Sequence, residues 1–351
     1  MKKVFIAGGG TGGHFYPAVS VANELINYGY QIVYFGTKKG IESKKDFPAS
    51  EKYLFDIEGV RGRSPKNAVK SALKLLKTAL FIRSLIKKEK PEFVLCFGGY
   101  SSLPLGLAAA LSNVPLFLHE QNSIPSYTNK LLSLFAKKIF ITFEVSKNYF
   151  PKNKTVLTGL PLRQELLKDL KISQEKAREI IGIPDKKTVL VFGGSQGSKV
   201  LSENAIKLAQ KRKDLQFILI GGKNFKKPDN LPENIKYFDF YDRMGILYSA
   251  SDIVISRSGA ASTYEILAAG KPAVFIPYPY AASDHQYHNV KWLEEKGLCH
   301  IIRENQLTLE TLQEKIDDLL SKNIQKEIKS LYIPDSAEKI IKEIFDELDR
   351  V

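Results

Sequence analysis

The 351-residue sequence predicts an α/β protein made of two halves, each a doubly wound parallel sheet. Three observations carry this prediction. The chain opens with a short β-rich run, Lys3–Ala7 (KVFIA), a glycine-rich turn and then a helical pattern. The same succession restarts at Thr188–Phe192 (TVLVF), followed by GGSQGS and a helical stretch from about Val200 to Gln210. Between these points, apolar runs of four or five residues alternate with helical patterns, and buried parallel strands read as such continuous runs.

Taken in order, the first helix follows Val21, Ala22, Leu25 and Ile26 and stops at Gly29, with Pro17 in its first turn. Gln31–Phe35, Phe93–Phe97, Leu116–His119 and Lys138–Thr142 continue the first sheet. Phe217–Ile220, Ile253–Ser256 and Ala273–Ile276 continue the second. Gly and Pro in Gly159–Arg163 (GLPLR) make a hinge between the halves. The expected division is residues 1–161, residues 162–334, and a C-terminal segment 335–351 whose helix, Ser336–Leu348, packs back on the first half. Two Rossmann-like domains then face each other across a cleft at the carboxyl ends of both sheets.

Composition excludes several classes. Hydrophobic residues are 44% and charged residues 26%, which is ordinary for a globular protein and rules out disorder or a small disulfide scaffold. The two cysteines, Cys96 and Cys299, sit beside apolar residues and read as buried free thiols of a reducing compartment. The apolar run after Met1 stops after four residues, too short for a secretory signal, so a cytoplasmic protein is expected. Phe93–Leu118 lacks charge for 26 residues. Gly98, Gly99, Pro104, Gly106, Asn113 and Pro115 break it into strand, loop, helix and strand, so no transmembrane helix is predicted.

The net charge of +14 is unevenly placed: residues 1–160 hold 23 Lys+Arg against 10 Asp+Glu. Much of the excess lies in Lys66–Lys90, with eight basic residues and Glu89 alone against them. Leu73, Leu76, Leu80 and Phe81 share a helical face that Leu75, Ile82, Leu85 and Ile86 widen. Such a helix fits an anionic membrane surface. It also fits an ordinary helix packed on a sheet. Nucleic acid is disfavoured as a partner, because no recognition module or aromatic pattern accompanies the charge.

The chemistry-bearing motifs follow the strands. Gly8–Gly13 (GGGTGG) matches GxGxxG, a loop that lets backbone N–H groups and a helix N-terminus approach a diphosphate. The second strand ends Phe35-Gly36-Thr37-Lys38 without the acidic residue a dinucleotide ribose needs, which argues against NAD. His14 follows the loop and could act as a general base or only hydrogen-bond at the helix start. His119-Glu120-Gln121-Asn122 ends a strand and offers four polar side chains for a sugar. In the second half, Ser195-Gln196-Gly197 and Arg257-Ser258-Gly259-Ala260-Ala261-Ser262-Thr263-Tyr264-Glu265 each open a helix after a strand. Glu265 offers two acceptor oxygens to a ribose cis-diol. Asp284-His285-Gln286 forms a polar loop tip. HExxH, paired CxxC, DxD and Walker A patterns are absent from the sequence, so nothing in it marks a metal site or a resident cofactor.

The stretches GGGTGGHFYPA, FGGYSS, HEQN, TGLPLR, GGSQGS, SRSGAASTYEILAAGKP and DHQYHN together resemble the MurG family, in the family's order and across nearly the whole chain. The resemblance implies a GT-B fold and inverting transfer of GlcNAc from UDP-GlcNAc to the C4 hydroxyl of MurNAc on lipid I, forming lipid II at the cytoplasmic membrane face. It implies that His14 is the base. It places Thr11, Gly12, Gly13 and Asn122 near the transferred sugar and the acceptor diphosphate, with Gly10, Tyr100, His119 and Glu120 on the acceptor side. Arg163, Ser195, Tyr241 (through its backbone) and Ala260–Glu265 (Ala260, Ala261, Ser262, Thr263, Tyr264, Glu265) fall at UDP positions, and the helix start near Gly259 together with Arg257 is expected to stabilise the departing UDP. Gln286 falls at a GlcNAc hydroxyl, and Lys66–Lys90 at the membrane-contact patch. A GT-B enzyme with another acceptor and a non-catalytic nucleotide-sugar-binding module are the rival readings, separated by acceptor-dependent turnover.

Overall fold

In a computed structural model describing residues 2–59, 64–194, 196–223 and 225–350, the chain divides into two compact units. Residues 1–163 with 334–351 form the first and 164–333 the second.

The first unit runs β1 (Lys3–Ala7), α1 (Gly12–Asn27), β2 (Gln31–Thr37), β3 (Glu51–Phe55), α2 (Pro65–Glu89), β4 (Phe93–Cys96), α3 (Leu103–Ala110), β5 (Leu116–Glu120), α4 (Tyr127–Leu132), β6 (Lys138–Ile141) and β7 (Thr155–Leu157). The second runs α5 (Gln164–Asp169), α6 (Gln174–Ile181), β8 (Thr188–Phe192), α7 (Lys199–Lys211), β9 (Gln216–Ile220), β10 (Ile235–Phe238), α8 (Met244–Ala250), β11 (Ile253–Ser256), α9 (Ala260–Ala269), β12 (Ala273–Phe275), α10 (His285–Glu295), β13 (Cys299–Ile301), α11 (Leu309–Ser321) and α12 (Gln325–Ser330). The last helix, α13 (Ser336–Leu348), returns to the first unit.

Both sheets are parallel, ordered β3-β2-β1-β4-β5-β6-β7 and β10-β9-β8-β11-β12-β13. The first strand of each half therefore lies inside its sheet, and the order reverses beside it. That reversal puts the glycine loops after β1 and β8 at topological switch points, where open α/β sheets bind ligands. The uncharged run from Phe93 resolves into β4, α3 and β5. Among the described residues, no helix is long and apolar enough to cross a membrane.

The core explains the register. Val4, Ile6, Phe93, Leu95, Phe117 and Phe140 point to one face of the first sheet, against Phe15, Ala18, Ala22 and Leu25 of α1 and Ile340, Ile341 and Ile344 of α13. Phe345 sits with its ring centroid 5.5 Å from Tyr28 and 5.8 Å from Tyr30. Lys138 holds Glu343 at 2.6 Å. Phe5, Val33, Val94, Leu116 and Ile139 face the other side, under Ile82 and Ile86 of α2 and Leu105, Ala108 and Ala109 of α3. In the second unit Val189, Val191, Phe217, Leu219, Ile253 and Ile255 pack on Leu201, Ala205 and Leu208 of α7 and on Leu312, Ile316 and Leu319 of α11. Cys96 and Cys299 are buried and unpaired.

Two expectations need correction. Helix α1 begins at Gly12, so Pro17 lies in its second turn rather than its first. Its missing N–H deprives one carbonyl, that of Gly13, of a helical partner. The apolar residues of α2 form two faces rather than one. Leu75, Ala79, Ile82 and Ile86 are buried at spacings of three and four, whereas Val69, Leu73, Leu76, Leu80 and Phe81 are each about half exposed.

Candidate active site

The glycine loop after β1 is anchored from beneath. Glu42 is fully buried and accepts hydrogen bonds from the Gly10 N–H at 2.8 Å, the Thr37 N–H at 2.7 Å and the Thr37 hydroxyl at 2.7 Å. The buried Tyr34 hydroxyl donates to the Gly8 carbonyl at 2.8 Å. Glycine is required here because a Cβ at Gly9 would stand 2.4 Å from the Glu42 carboxylate. The loop leads to Thr11, the exposed N-cap of α1, and to Gly12 and Gly13 in the first turn. No acidic residue occupies that turn. The Tyr100 ring lies over Gly10, 3.7 Å from where its Cβ would stand.

His14 is half-buried on α1. A Cβ at Gly99, in the FGGYSS loop, would lie 3.2 Å from the imidazole, so that loop packs against the ring. His14 Nδ1 lies 2.8 Å from Gln121 Oε1. Gln121 Nε2 lies 3.0 Å from His119 Nδ1, and His119 Nε2 lies 3.0 Å from the Gly159 carbonyl. His119 is completely buried, and that burial lowers its pKa to about 4.

Glu120, also fully buried, accepts from the backbone N–H of Asn122 at 2.9 Å, the backbone N–H of Ser126 at 3.0 Å and the Asn129 amide at 2.8 Å. It therefore shapes the loop that carries Gln121 and the half-buried Asn122. Arg163 lies over the Tyr16 ring at 4.7 Å.

The low pKa of His119 has a stability consequence. Between about pH 6.5, its value in an unfolded chain, and about 4, the unfolded state binds a proton that the native state does not. Stability therefore falls as pH drops through that window, by about 3 kcal/mol in all. Amide exchange of the β1 and β5 core, measured at pH 7 and pH 4.5, is expected to show this loss in the wild type and a smaller one in His119→Gln. Equal losses would refute it.

In the second unit, the loop after β8 approaches the Gly221-Gly222 turn backbone to backbone: a Cβ at Gly197 would sit 2.1 Å from the Gly221 carbonyl oxygen. Ser195 lies outside the described residues. Helix α9 starts at Ala260 after Gly259, directly beyond β11, with Ala261 and Ser262 in its first turn and no acidic residue there. Among the described residues, the buried Ser258 and Thr263 hydroxyls at this helix start have no hydrogen-bond partner. Glu265 lies one turn further on and accepts at 3.0 Å from the hydroxyl of the fully buried Tyr248. Gln286 Oε1 accepts from the Tyr278 N–H at 2.9 Å. Arg303 holds Asp284 with two bonds of 2.9 and 2.7 Å and lies 3.8 Å from the Tyr287 ring, bracing the segment before Gln286. Tyr241 packs its ring 4.7 Å from Phe238.

Two residues of the RSGAASTYE block face protein partners. The Arg257 guanidinium donates to the carbonyls of Ile276 and Pro277, to the Ser198 hydroxyl and to Glu304. These bonds tie the loop after β11 to the segments that carry Ser198, Ile276, Pro277 and Glu304. Tyr264 is 1% exposed, and its hydroxyl accepts from the Ile333 N–H at 3.0 Å. Among the described residues, no group of three or more His, Cys, Asp or Glu is arranged to hold a metal ion.

Residues 4–141 match the Glycosyltransferase family 28 N-terminal domain, and residues 188–344 match the Glycosyltransferase family 28 C-terminal domain. A relative from Sulfurihydrogenibium sp. (strain YO3AOP1), a UDP-N-acetylglucosamine--N-acetylmuramyl-(pentapeptide) pyrophosphoryl-undecaprenol N-acetylglucosamine transferase, is 53% identical over 99% of both chains. The chain belongs to glycosyltransferase family 28, and within it to the MurG family. Another MurG-family relative, from Aquifex aeolicus (strain VF5) and bearing the same transferase name, is 40% identical over 97% of this chain and 99% of its own. A crystal structure of Acinetobacter baumannii MurG superposes with a TM-score of 0.78 at 27% identity, covering 99% of this chain and all of that one. The fold is accordingly GT-B, with two Rossmann-like domains.

Two residues of this candidate site, Glu42 and Tyr248, are absent from the sequence-based set, and a third, Gln121, is read there only as one of four polar side chains offered to a sugar. Gln121 lies inside the HEQN motif but draws no separate role from pattern alone. Glu42 sits in GIESKK, where nothing local marks a buried carboxylate. Tyr248 reads as one more core aromatic until its hydroxyl is seen on Glu265.

Proposed function

We propose that this glycosyltransferase moves GlcNAc from UDP-GlcNAc to the C4 hydroxyl of MurNAc in undecaprenyl-pyrophosphoryl-MurNAc-pentapeptide (lipid I), giving lipid II and UDP with inversion at the anomeric carbon. One observation carries the reading. A chain 53% identical over 99% of its length to a transferase of that specificity carries a half-buried imidazole beside an anchored glycine loop.

In this reading the acceptor oxygen attacks the anomeric carbon in line. The carbon–oxygen bond to UDP breaks as the new glycosidic bond forms, and the hydroxyl proton passes to His14. Gly10, Tyr100, His119 and Glu120 shape the acceptor side. Thr11, Gly12, Gly13 and Asn122 lie near the sugar and the acceptor diphosphate. The departing UDP gains negative charge, which the N-terminal N–H groups of α9 at Ala260, Ala261 and Ser262 stabilise. Thr263 and the Tyr241 backbone complete the UDP contacts with Arg163 and Ser195. Arg257 and Tyr264 belong to the same UDP set, Arg257 adding positive charge for the departing UDP. Glu265 takes the ribose diol, and Gln286 takes a GlcNAc hydroxyl. Acceptor-dependent release of UDP from UDP-GlcNAc, with a soluble lipid I analogue, tests the reading. UDP-GlcNAc binding without turnover on that analogue would refute it.

The acceptor's lipid implies a membrane surface. The outer face of α2 supplies the contact in this reading: half-exposed Val69, Leu73, Leu76 and Leu80 beside Lys66, Lys70, Lys77 and Lys87. The enzyme would sit peripherally on the cytoplasmic face. Leu73→Asp combined with Leu76→Asp is expected to weaken binding to anionic vesicles about tenfold or more, leaving activity on the soluble acceptor intact. Duplex DNA should not compete. Unchanged vesicle binding, or displacement by DNA, would refute the assignment.

A further inference from the structure

The chain from His14 to the Gly159 carbonyl has one direction in which it can carry its protons. A carbonyl oxygen only accepts, so the His119 Nε2 lying 3.0 Å from the Gly159 oxygen must bear the hydrogen. Buried and neutral at pH 7, His119 then has a bare Nδ1. Only an N–H can approach that lone pair, which orients the Gln121 amide with Nε2 towards His119 at 3.0 Å. The second amide hydrogen confirms the orientation, because it points at the His119 carbonyl oxygen at 3.2 Å. Gln121 Oε1 is thereby turned towards His14 Nδ1 at 2.8 Å, where it can only accept.

We propose that Gln121, oriented by His119 and the Gly159 carbonyl, is a positioning residue that holds His14 in the Nδ1–H tautomer and leaves its Nε2 lone pair to take the acceptor proton. The proposal rests on the reading of His14 as the base. Its logic is that of a carboxylate behind a catalytic histidine, where the wrong tautomer forfeits most of the rate. An amide differs in one respect: it selects the tautomer without adding a negative charge beside the imidazole. A neutral imidazole in water favours the opposite tautomer, with the hydrogen on Nε2, so the relay works against that preference.

The test is ¹⁵N imidazole NMR of the full-length protein, at a pH where His14 is neutral, joined to kinetics of Gln121→Met. In the wild type, His14 is expected to show a pyrrole-type Nδ1 and a pyridine-type Nε2. A pyrrole-type Nε2 would overturn the proposal without any variant being made. Gln121→Met should shift His14 towards the Nε2–H form and lower kcat about 10- to 100-fold, the usual scale for losing such a partner. KM for UDP-GlcNAc should stay unchanged. An unaltered tautomer in a folded Gln121→Met protein would overturn the proposal. An altered tautomer with full turnover would uphold the relay and remove His14 from the role of base.

Discussion

Replacing His14 with alanine is expected to lower kcat by about two orders of magnitude or more, the range for a lost general base, with KM for UDP-GlcNAc nearly unchanged. His14 stands in the first turn of α1, behind an anchored glycine loop. Its ring rests against Gly99 and is tied at Nδ1 to Gln121. The other titratable groups nearby are poorly placed for the task. His119 is fully buried with its pKa lowered to about 4, and Glu120 spends both carboxylate oxygens on its own loop and Asn129. Steady-state kinetics with a soluble acceptor decides the matter, and turnover at the wild-type level in His14→Ala would remove this residue from the mechanism.

Glu265→Ala is expected to act on the donor instead. A carboxylate accepting from a diol forms charged hydrogen bonds, each contributing about 1.5–3 kcal/mol. The alanine removes both bonds to the diol, so UDP-GlcNAc binding is expected to weaken about 100-fold or more. Tyr248 fixes one carboxylate oxygen from a fully buried position, so the group is held in place before ligand arrives. Calorimetric titration of UDP-GlcNAc measures the effect directly. Unchanged affinity would refute the ribose assignment, and loss of kcat at unchanged affinity would place Glu265 in the chemical step.

What could be read from sequence, and what could not, divides along physical lines. Every interior strand of both sheets announces itself as an apolar run, because both faces are buried. The strands that escape notice, Glu51–Phe55, Thr155–Leu157, Ile235–Phe238 and Cys299–Ile301, are the four sheet edges. Their residues are mostly half-buried, so polar and apolar types mix and the hydrophobic signal fades. On α2 the periodicity is legible but the direction is not. Leu75 and Leu76 are identical side chains one position apart, and only the sheet and α3 decide that the first is buried and the second exposed.

The candidate site shows the same division. Loop motifs that open helices after strands are local and visible, as GGGTGGH and RSGAASTYE show. Partners distant in sequence are not. Gln121 reaches His14 across 107 positions, and Glu42 reaches Gly10 across 32. Arg257 looks like a phosphate ligand in sequence because it neighbours a small-residue helix start. Its engagement by Ile276, Pro277, Ser198 and Glu304 depends on four segments that only the fold assembles.

The measurement that bears most directly on the central claim is the identity of the bond formed. The purified enzyme, given UDP-GlcNAc and a soluble lipid I analogue, should yield one disaccharide whose NMR spectrum shows GlcNAc joined to O4 of MurNAc in the β configuration, with one UDP released per linkage. An α linkage, attachment at another hydroxyl, or UDP release without a disaccharide would contradict the account.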